Sequence, residues 1–296
     1  MPATILDGRA LAAELRRDVA LRGEALRSRG VHPRLVVAIV GADAASVAYV
    51  NSLVKVGERV GIEVAVEAID HTALEEAVRR RLIAIGADPR VHGIILQQPL
   101  PKHLDIRRIA DAIPPEKDVD GANPVNQGRL AFGSGTEFVP ATPAAVMLLL
   151  ERSTRWPLAG VRACMVGRSN VVGLPVSLLM MREDATLTVT HEKTIDLPRY
   201  TRDAEVLVVA TGVPGLITAD MVLPGATVVD VGTTFVDGVL KGDVAFDDVA
   251  AIAREITPVP GGVGPVTNVA LMRNVITAAE RIEAAGAHVS HPANSR

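Results

Sequence analysis

Aromatic residues are scarce in this chain of 296 residues: one Trp, two Tyr and four Phe, 2% in all. Whatever cores it builds are therefore aliphatic, made from the Val, Ile, Leu, Ala and Met that dominate its 48% apolar content. Cysteine is rarer still. Cys164 stands alone, so no intramolecular disulfide forms, and no CxxC or His/Cys cluster has the spacing of a zinc site. A reducing cytoplasm and no metal are expected. No apolar run reaches the roughly 18 residues of a membrane span, and the start, Met1 to Gly8, lacks the basic flank and apolar stretch of a signal peptide. No Lys/Arg block is present and the formal net charge is −3, which leaves neither nucleic acid nor an anionic membrane an evident landing surface.

What is present is enough chain for two domains, at about 150 residues each. Apolar spacing predicts a helix over residues 8–29, a buried strand over 35–40, a turn at 41–46, a helix over 47–60 and an alternating strand over 63–69. Another helix is predicted over 74–85 and a strand over 93–96, ended by the prolines of Gln97-Gln98-Pro99-Leu100-Pro101. Residues 113–138, rich in Pro and Gly, read as irregular. Thr142-Pro143 supplies an N-cap and first-turn proline for a connecting helix to Glu151. Short β-branched runs recur at 163–166, 186–190, 206–210 and 227–231; an amphipathic helix over 269–285 packs back on the first domain, and the chain from Ala287 is expected to fray. This alternation predicts an α/β protein of two domains, each with a mostly parallel sheet, the second a Rossmann-like doubly wound domain. The boundaries are 1–140, completed by helix 268–290, and 141–267.

Strand, glycine-rich loop and apolar helix meet at Val166-Gly167-Arg168-Ser169-Asn170-Val171-Val172-Gly173-Leu174-Pro175. That order suits a dinucleotide, whose pyrophosphate needs close backbone approach and the positive end of a helix. The spacing differs from G-x-G-x-x-G and also fits a tight βα turn. Thr211-Gly212 and Val231-Gly232 place further glycines at strand ends, where doubly wound folds bind ligands.

These loops, together with Tyr49, Gly93 to Pro101, Lys117-Asp118-Val119-Asp120-Gly121, Gly128-Arg129-Leu130, Gly242-Asp243-Val244 and Thr257 to Thr267, resemble the methylenetetrahydrofolate dehydrogenase/cyclohydrolase family along nearly the whole chain. The resemblance implies oxidation of a tetrahydrofolate-bound methylene unit by a nicotinamide nucleotide in a cytoplasmic homodimer joined through the nucleotide domains. It implies catalytic roles for Tyr49, Gln97 and Asp120, which line a folate cleft between the domains. Pro99, Leu100, Gly262, Pro265 and Thr267 join them as substrate contacts. For the cofactor it implies Gly167, Arg168, Ser169, Val172, Gly173, His191, Glu192, Thr211, Gly212, Val231, Gly232 and Thr233. Oxidation of the methylene group asks mainly for correct positioning of the two rings, and an aromatic wall with an acidic anchor meets that need.

Two positions depart from the family. Its catalytic lysine lies four residues after the tyrosine, where this chain has Leu53. Lys55, six residues after Tyr49, points about 120° away on a helix and is a poor substitute. Weak or absent cyclohydrolase activity is expected, because general acid–base help is commonly worth about 10²–10⁴-fold. The second departure is Glu192, 25 residues past Gly167, near where dinucleotide folds place an acid on the NAD ribose, whereas Arg168 suits the 2′-phosphate of NADP. Glu192 either pairs with Arg168 or is a solvated charge. NADP is expected and NAD is the alternative. Two other readings stay open: the same fold acting on a different one-carbon or biosynthetic substrate, and a catalytically silent ligand-binding homologue.

Overall fold

A computed structural model describes residues 3–41 and 44–289. The chain begins with β1 (Thr4–Ile5), α1 (Gly8–Ser28), β2 (Arg34–Val40), α2 (Ala44–Val60), β3 (Glu63–Ile69), α3 (Glu75–Ala87) and β4 (Gly93–Leu96). It continues through α4 (Ile106–Ile109), α5 (Pro124–Phe132), α6 (Ala141–Leu150), β5 (Arg162–Val166), α7 (Gly173–Arg182), β6 (Thr186–Thr190), α8 (Leu197–Thr201) and β7 (Val206–Val209). The last elements are β8 (Thr227–Asp230), β9 (Thr234–Val236), β10 (Val239–Lys241), α9 (Phe246–Ala250), β11 (Glu255–Ile256) and α10 (Val263–Val289). Part of the 41–46 turn and the chain beyond Val289 lie outside the described residues.

Two compact units result, one of residues 15–139 and 268–296, the other of 1–14 and 140–267. In the first, β3-β2-β4 form a three-stranded parallel sheet. Its core of Val36, Ala38, Val78, Leu82, Ile94, Leu96, Ile109 and Ile113 is buried between sheet and helices. Here Asn274 of α10 donates from Nδ2 to the carbonyls of Val119 and Val139 at 2.8 and 2.9 Å, and Arg22 and Arg29 pair with Glu280 and Glu283. The segment expected to be irregular contains α5: the Asn123 side chain accepts from Val125 N–H at 2.7 Å, Pro124 takes the first turn and Gly133 ends the helix. Those stop and start residues override the weak periodicity.

In the second unit six strands run in the order β1-β11-β8-β7-β5-β6, every pair parallel, with β9 and β10 forming a separate antiparallel hairpin. Its core includes Cys164, Val166, Leu207, Val209, Val228, Val249 and Ile256. The N-terminal segment, expected with the first domain, belongs here, because Thr4 and Ile5 pair with Glu255 and Ile256 at the sheet edge. The helix expected to be capped by Thr142 starts at Ala141 after Pro140, with no side-chain cap, so Thr142 and Pro143 lie within its first turn, where a missing N–H is harmless. Among the described residues, no helix is long and apolar enough to cross a membrane, and no group of three His, Cys, Asp or Glu is placed to hold a metal.

Lys117 is 8% exposed, and its ammonium donates to the carbonyls of Gly86 and Asp88 at 2.9 and 2.7 Å, tying the end of α3 to the loop after Pro114. Lys117→Met keeps the apolar stem but removes the ammonium's bonds to both carbonyls, of which Asp88 O retains Val91 N–H at 3.1 Å. The expected loss of unfolding free energy is about 2 kcal/mol, measured by denaturant titration followed by circular dichroism.

Candidate functional site

The larger sheet presents a cleft of about 580 Å³ lined by Val166, Gly167, Arg168, Ser169, His191, Glu192, Thr194, Leu197, Ala210, Thr211, Val213 and Leu216. These residues follow the carboxyl ends of β5, β6 and β7, adjacent parallel strands. Gly167 has φ +117°, and a Cβ there would lie 2.2 Å from the Ala210 carbonyl oxygen, so only glycine lets the loops approach this closely. Ser169 shapes the entry to α7: its hydroxyl accepts from Val172 and Gly173 N–H at 3.2 and 3.4 Å, and its carbonyl accepts from Leu174 N–H at 3.0 Å. Beyond β6, Thr194 Oγ1 accepts from His191 N–H at 2.9 Å while His191 Nδ1 accepts from Lys193 N–H at 3.2 Å, which turns the chain and orients the imidazole. Glu192 lies 3.5 Å from Lys193 with its side chain 79% exposed, so it is a solvated charge on the cleft wall and not the partner of Arg168.

Size, glycine approach and the exposed Arg168 together suit a nicotinamide dinucleotide. Val172, Gly173 and Gly212 belong to the same loops as the cleft's lining residues, whereas the other expected nucleotide contacts lie after β8. Val231 and Thr233 line a smaller hollow of about 130 Å³ with Pro258 to Pro265, which brings them beside Gly262 and Pro265. Thr267 is buried and its hydroxyl donates to Val263 O on the preceding turn of its own helix at 3.2 Å, so it presents no free donor to a ligand.

Two buried carboxylates stand behind these loops. Asp230 accepts from Gly232 and Asp243 N–H at 2.9 and 3.0 Å through Oδ1, and from Val244 N–H at 3.0 Å through Oδ2. Asp243 in turn accepts from the Thr211 and Gly212 loop. The individual residues gave no sign of this, because isolated aspartates beside glycines read as surface turns; the nearest signal was Gly242-Asp243-Val244.

In the smaller-sheet unit, Tyr49 lies on α2 and Asp120 follows the point where Asp118 pairs with Ile94 of β4. Burial, and then the charge of Asp120, raise the Tyr49 phenol above its ordinary value, so it stays a neutral hydroxyl near that carboxylate. Asp118 is fully buried and accepts from Ala122 and Asn123 N–H and Asn126 Nδ2 at 3.0, 2.8 and 2.8 Å, fixing the loop that carries Asp120. Gln97 continues β4 through its N–H to Ala38 O at 2.8 Å, and its amide nitrogen donates to Gln98 O at 2.5 Å. Leu100 packs on the core and Pro99 is exposed. Leu53, one turn after Tyr49, is fully buried, whereas Lys55 is exposed. Cys164 is no nucleophile, since burial pushes its thiol up to about 11.

Burial outweighs the three N–H donors at Asp230 and, with the nearby Asp243 carboxylate, pushes its carboxyl from 3.8 up to about 6. The folded protein thus keeps a proton here that the unfolded chain releases near pH 4. This contribution to stability is complete below about pH 4 and is lost as pH rises to about 6, at most about 3 kcal/mol. Asp230→Asn is expected to remove that downward slope between about pH 4 and 6, measured as unfolding free energy against pH; an unchanged slope would refute the assignment.

The model of the tetrahydrofolate dehydrogenase/cyclohydrolase catalytic domain matches residues 6–120, and that of the family's NAD(P)-binding domain matches residues 140–283. The bifunctional protein FolD of Polynucleobacter asymbioticus is 46% identical over 282 residues, 95% of this chain and 99% of the relative. The FolD dehydrogenase/cyclohydrolase of Campylobacter jejuni has a TM-score of 0.91 at 38% identity, covering 94% of this chain and 99% of that one. The Trypanosoma brucei enzyme, solved with NADP and an inhibitor, has a TM-score of 0.89 at 36% identity, covering 95% and 98%. With both domains matched and relatives similar over nearly their full length, the chain belongs to the tetrahydrofolate dehydrogenase/cyclohydrolase family.

Proposed function

We propose that this protein oxidises 5,10-methylenetetrahydrofolate to the methenyl form with NADP and hydrolyses that product poorly. The observation that carries this reading is the pairing of a glycine-built nucleotide cleft with a buried leucine one turn after Tyr49. Arg168 favours NADP: its exposed guanidinium on the cleft can bond a 2′-phosphate, while the nearest charge to the Glu192 carboxylate is Lys193. The Trypanosoma brucei relative, solved with NADP, supports the same choice.

The bound nucleotide supplies the hydride acceptor. This chain supplies position. Gly167 admits the backbone to the pyrophosphate and α7 directs its positive end there. Asp120 anchors the donor groups of the pterin, and Tyr49, kept neutral by burial, forms an apolar wall with a hydroxyl tip. Hydrolysis makes a further demand, a group that moves protons to and from water. At Leu53 no such group exists, and the side chain is fully buried.

The relatives named bifunctional favour a second reading, in which another group replaces the lysine. An assay with methylenetetrahydrofolate and either NADP or NAD separates the two when reduced cofactor and the methenyl product are followed together. Accumulating methenyl product is expected, with faster turnover on NADP. Leu53→Lys is expected to raise hydrolysis by about a hundredfold. Smooth conversion to the formyl product by the parent protein would overturn the proposed hydrolytic defect, and absence of reduced cofactor would overturn the dehydrogenase reading.

A further inference from the structure

Asp243 belongs to neither cleft lining, yet it bonds directly to Thr211 and Gly212 at the wall of the nucleotide cleft. It is fully buried and follows β10, in a segment fixed alongside Gly215 to Ile217: Gly215 N–H donates to Gly242 O at 3.1 Å, Ile217 N–H to Asp243 O at 3.0 Å and Ala245 N–H to Ile217 O at 2.8 Å. From there one oxygen, Oδ2, accepts three donors from the loop after β7: Thr211 N–H at 2.5 Å, Thr211 Oγ1 at 2.9 Å and Gly212 N–H at 2.9 Å. The other, Oδ1, is buried without a hydrogen-bond partner and packs on Gly232, where a Cβ would come within 2.2 Å of it.

Converging N–H groups of this kind form an anion-binding concavity, a place where loops of nucleotide-binding folds often receive a ligand phosphate. Here the protein fills it with its own carboxylate. Two consequences follow. The Thr211 loop is held before any nucleotide arrives, so binding does not bear the cost of ordering it. The loop is also closed to phosphate, because its donors are used and the occupant is an acid; the pyrophosphate is thereby left to the Gly167 to Gly173 loop. Because the Ala210 carbonyl abuts Gly167, a shift at Thr211 is transmitted directly to that loop. Asp230 completes the arrangement by holding Asp243 and Gly232 N–H together, with its own N–H donating to Thr257 Oγ1 at 2.8 Å.

We propose that Asp243 is a positioning residue for the nucleotide, an internal anion that holds the Thr211–Gly212 wall of the cleft in its binding conformation and reserves the Gly167 loop for phosphate. This rests on the nucleotide reading of the cleft. The test is direct binding of NADPH, followed by its fluorescence without folate, to the parent, Asp243→Ala and Asp243→Asn, together with amide hydrogen exchange of the nucleotide-free proteins. Asp243→Ala is expected to weaken NADPH binding at least tenfold, corresponding to about 1.4 kcal/mol, and to speed exchange at Thr211 and Gly212. Asp243→Asn, which keeps an acceptor, is expected to lie between it and the parent and serves if the alanine variant does not fold. In turnover, the KM for nucleotide is expected to rise while that for folate stays within about twofold. NADPH binding by the parent that a folded variant leaves unchanged, or an equal rise in both KM values, would overturn this inference alone. Failure of the parent to bind NADPH would overturn the nucleotide reading and this inference with it.

Discussion

Parallel pairing is the constraint on which the rest depends. Antiparallel strands alternate their ends, but parallel strands collect all their carboxyl ends on one edge of the sheet. In the larger sheet the register places Val166 opposite both Thr190 and Val209, and Val209 opposite Asp230. Gly167, His191, Ala210 and Val231 are the next residues of those strands, so four loops distant in sequence open at one level. The return connections impose the second half of the constraint: each parallel strand needs a crossover, and α7, between β5 and β6, is aimed with its N-terminus at that edge. In the smaller sheet Gly41 and Gln97 follow β2 and β4 in the same way, with Asp120 brought alongside by the pairing of Asp118 with Ile94.

A carboxyl edge made of glycine loops has a weakness, since glycine gives close approach at the cost of order. This chain offsets that weakness with buried acids. Asp118 in one unit and Asp230 with Asp243 in the other each accept several main-chain N–H groups and turn loose segments into single conformations. Burying a carboxyl is expensive, and the raised protonation range of Asp118 and Asp230 records that expense. On the proposed reading, the loops it orders are the ones that meet ligand.

Much of the frame was legible because period and composition carry it. Strands β5 to β8 are short runs of Val, Thr, Leu and Met between turn residues, and α1 keeps an apolar stripe through Leu11, Leu15, Val19 and Leu26. The elements that escaped notice have no period to detect. Strand β1 is two residues long and exists only because Glu255 and Ile256 lie beside it, and β9 and β10 are three residues each. Helix α5 was readable from Asn123-Pro124 and Gly133, but the surrounding prolines and glycines obscured it. For the site, the order of strand, glycine loop and helix pointed to the glycine loops while leaving a plain βα turn open, and Tyr49, Gln97 and Asp120 were named only through family resemblance. Asp230 and Asp243 remained hidden because their roles come from burial, which is a property of the folded chain.

Leu53 shows how one position separates two kinds of chemistry. On the proposed reading, hydride transfer needs rings held at the right distance, which depends on walls and anchors spread over many residues. Hydrolysis needs one group that exchanges protons with water. A lysine at a fully buried helix position must bring its ammonium to a partner or surrender its charge, and either carries a desolvation cost. Leucine removes that cost and contributes about 2 kcal/mol of apolar burial in its place. The substitution is thus favourable to the fold at a site where function would ask for the opposite, the trade expected where a strained catalytic group is relaxed. On that reading the dispersed demand of positioning survives such a change, because the Asp118-fixed loop that carries Asp120 does not depend on the side chain at 53 for its hydrogen bonds.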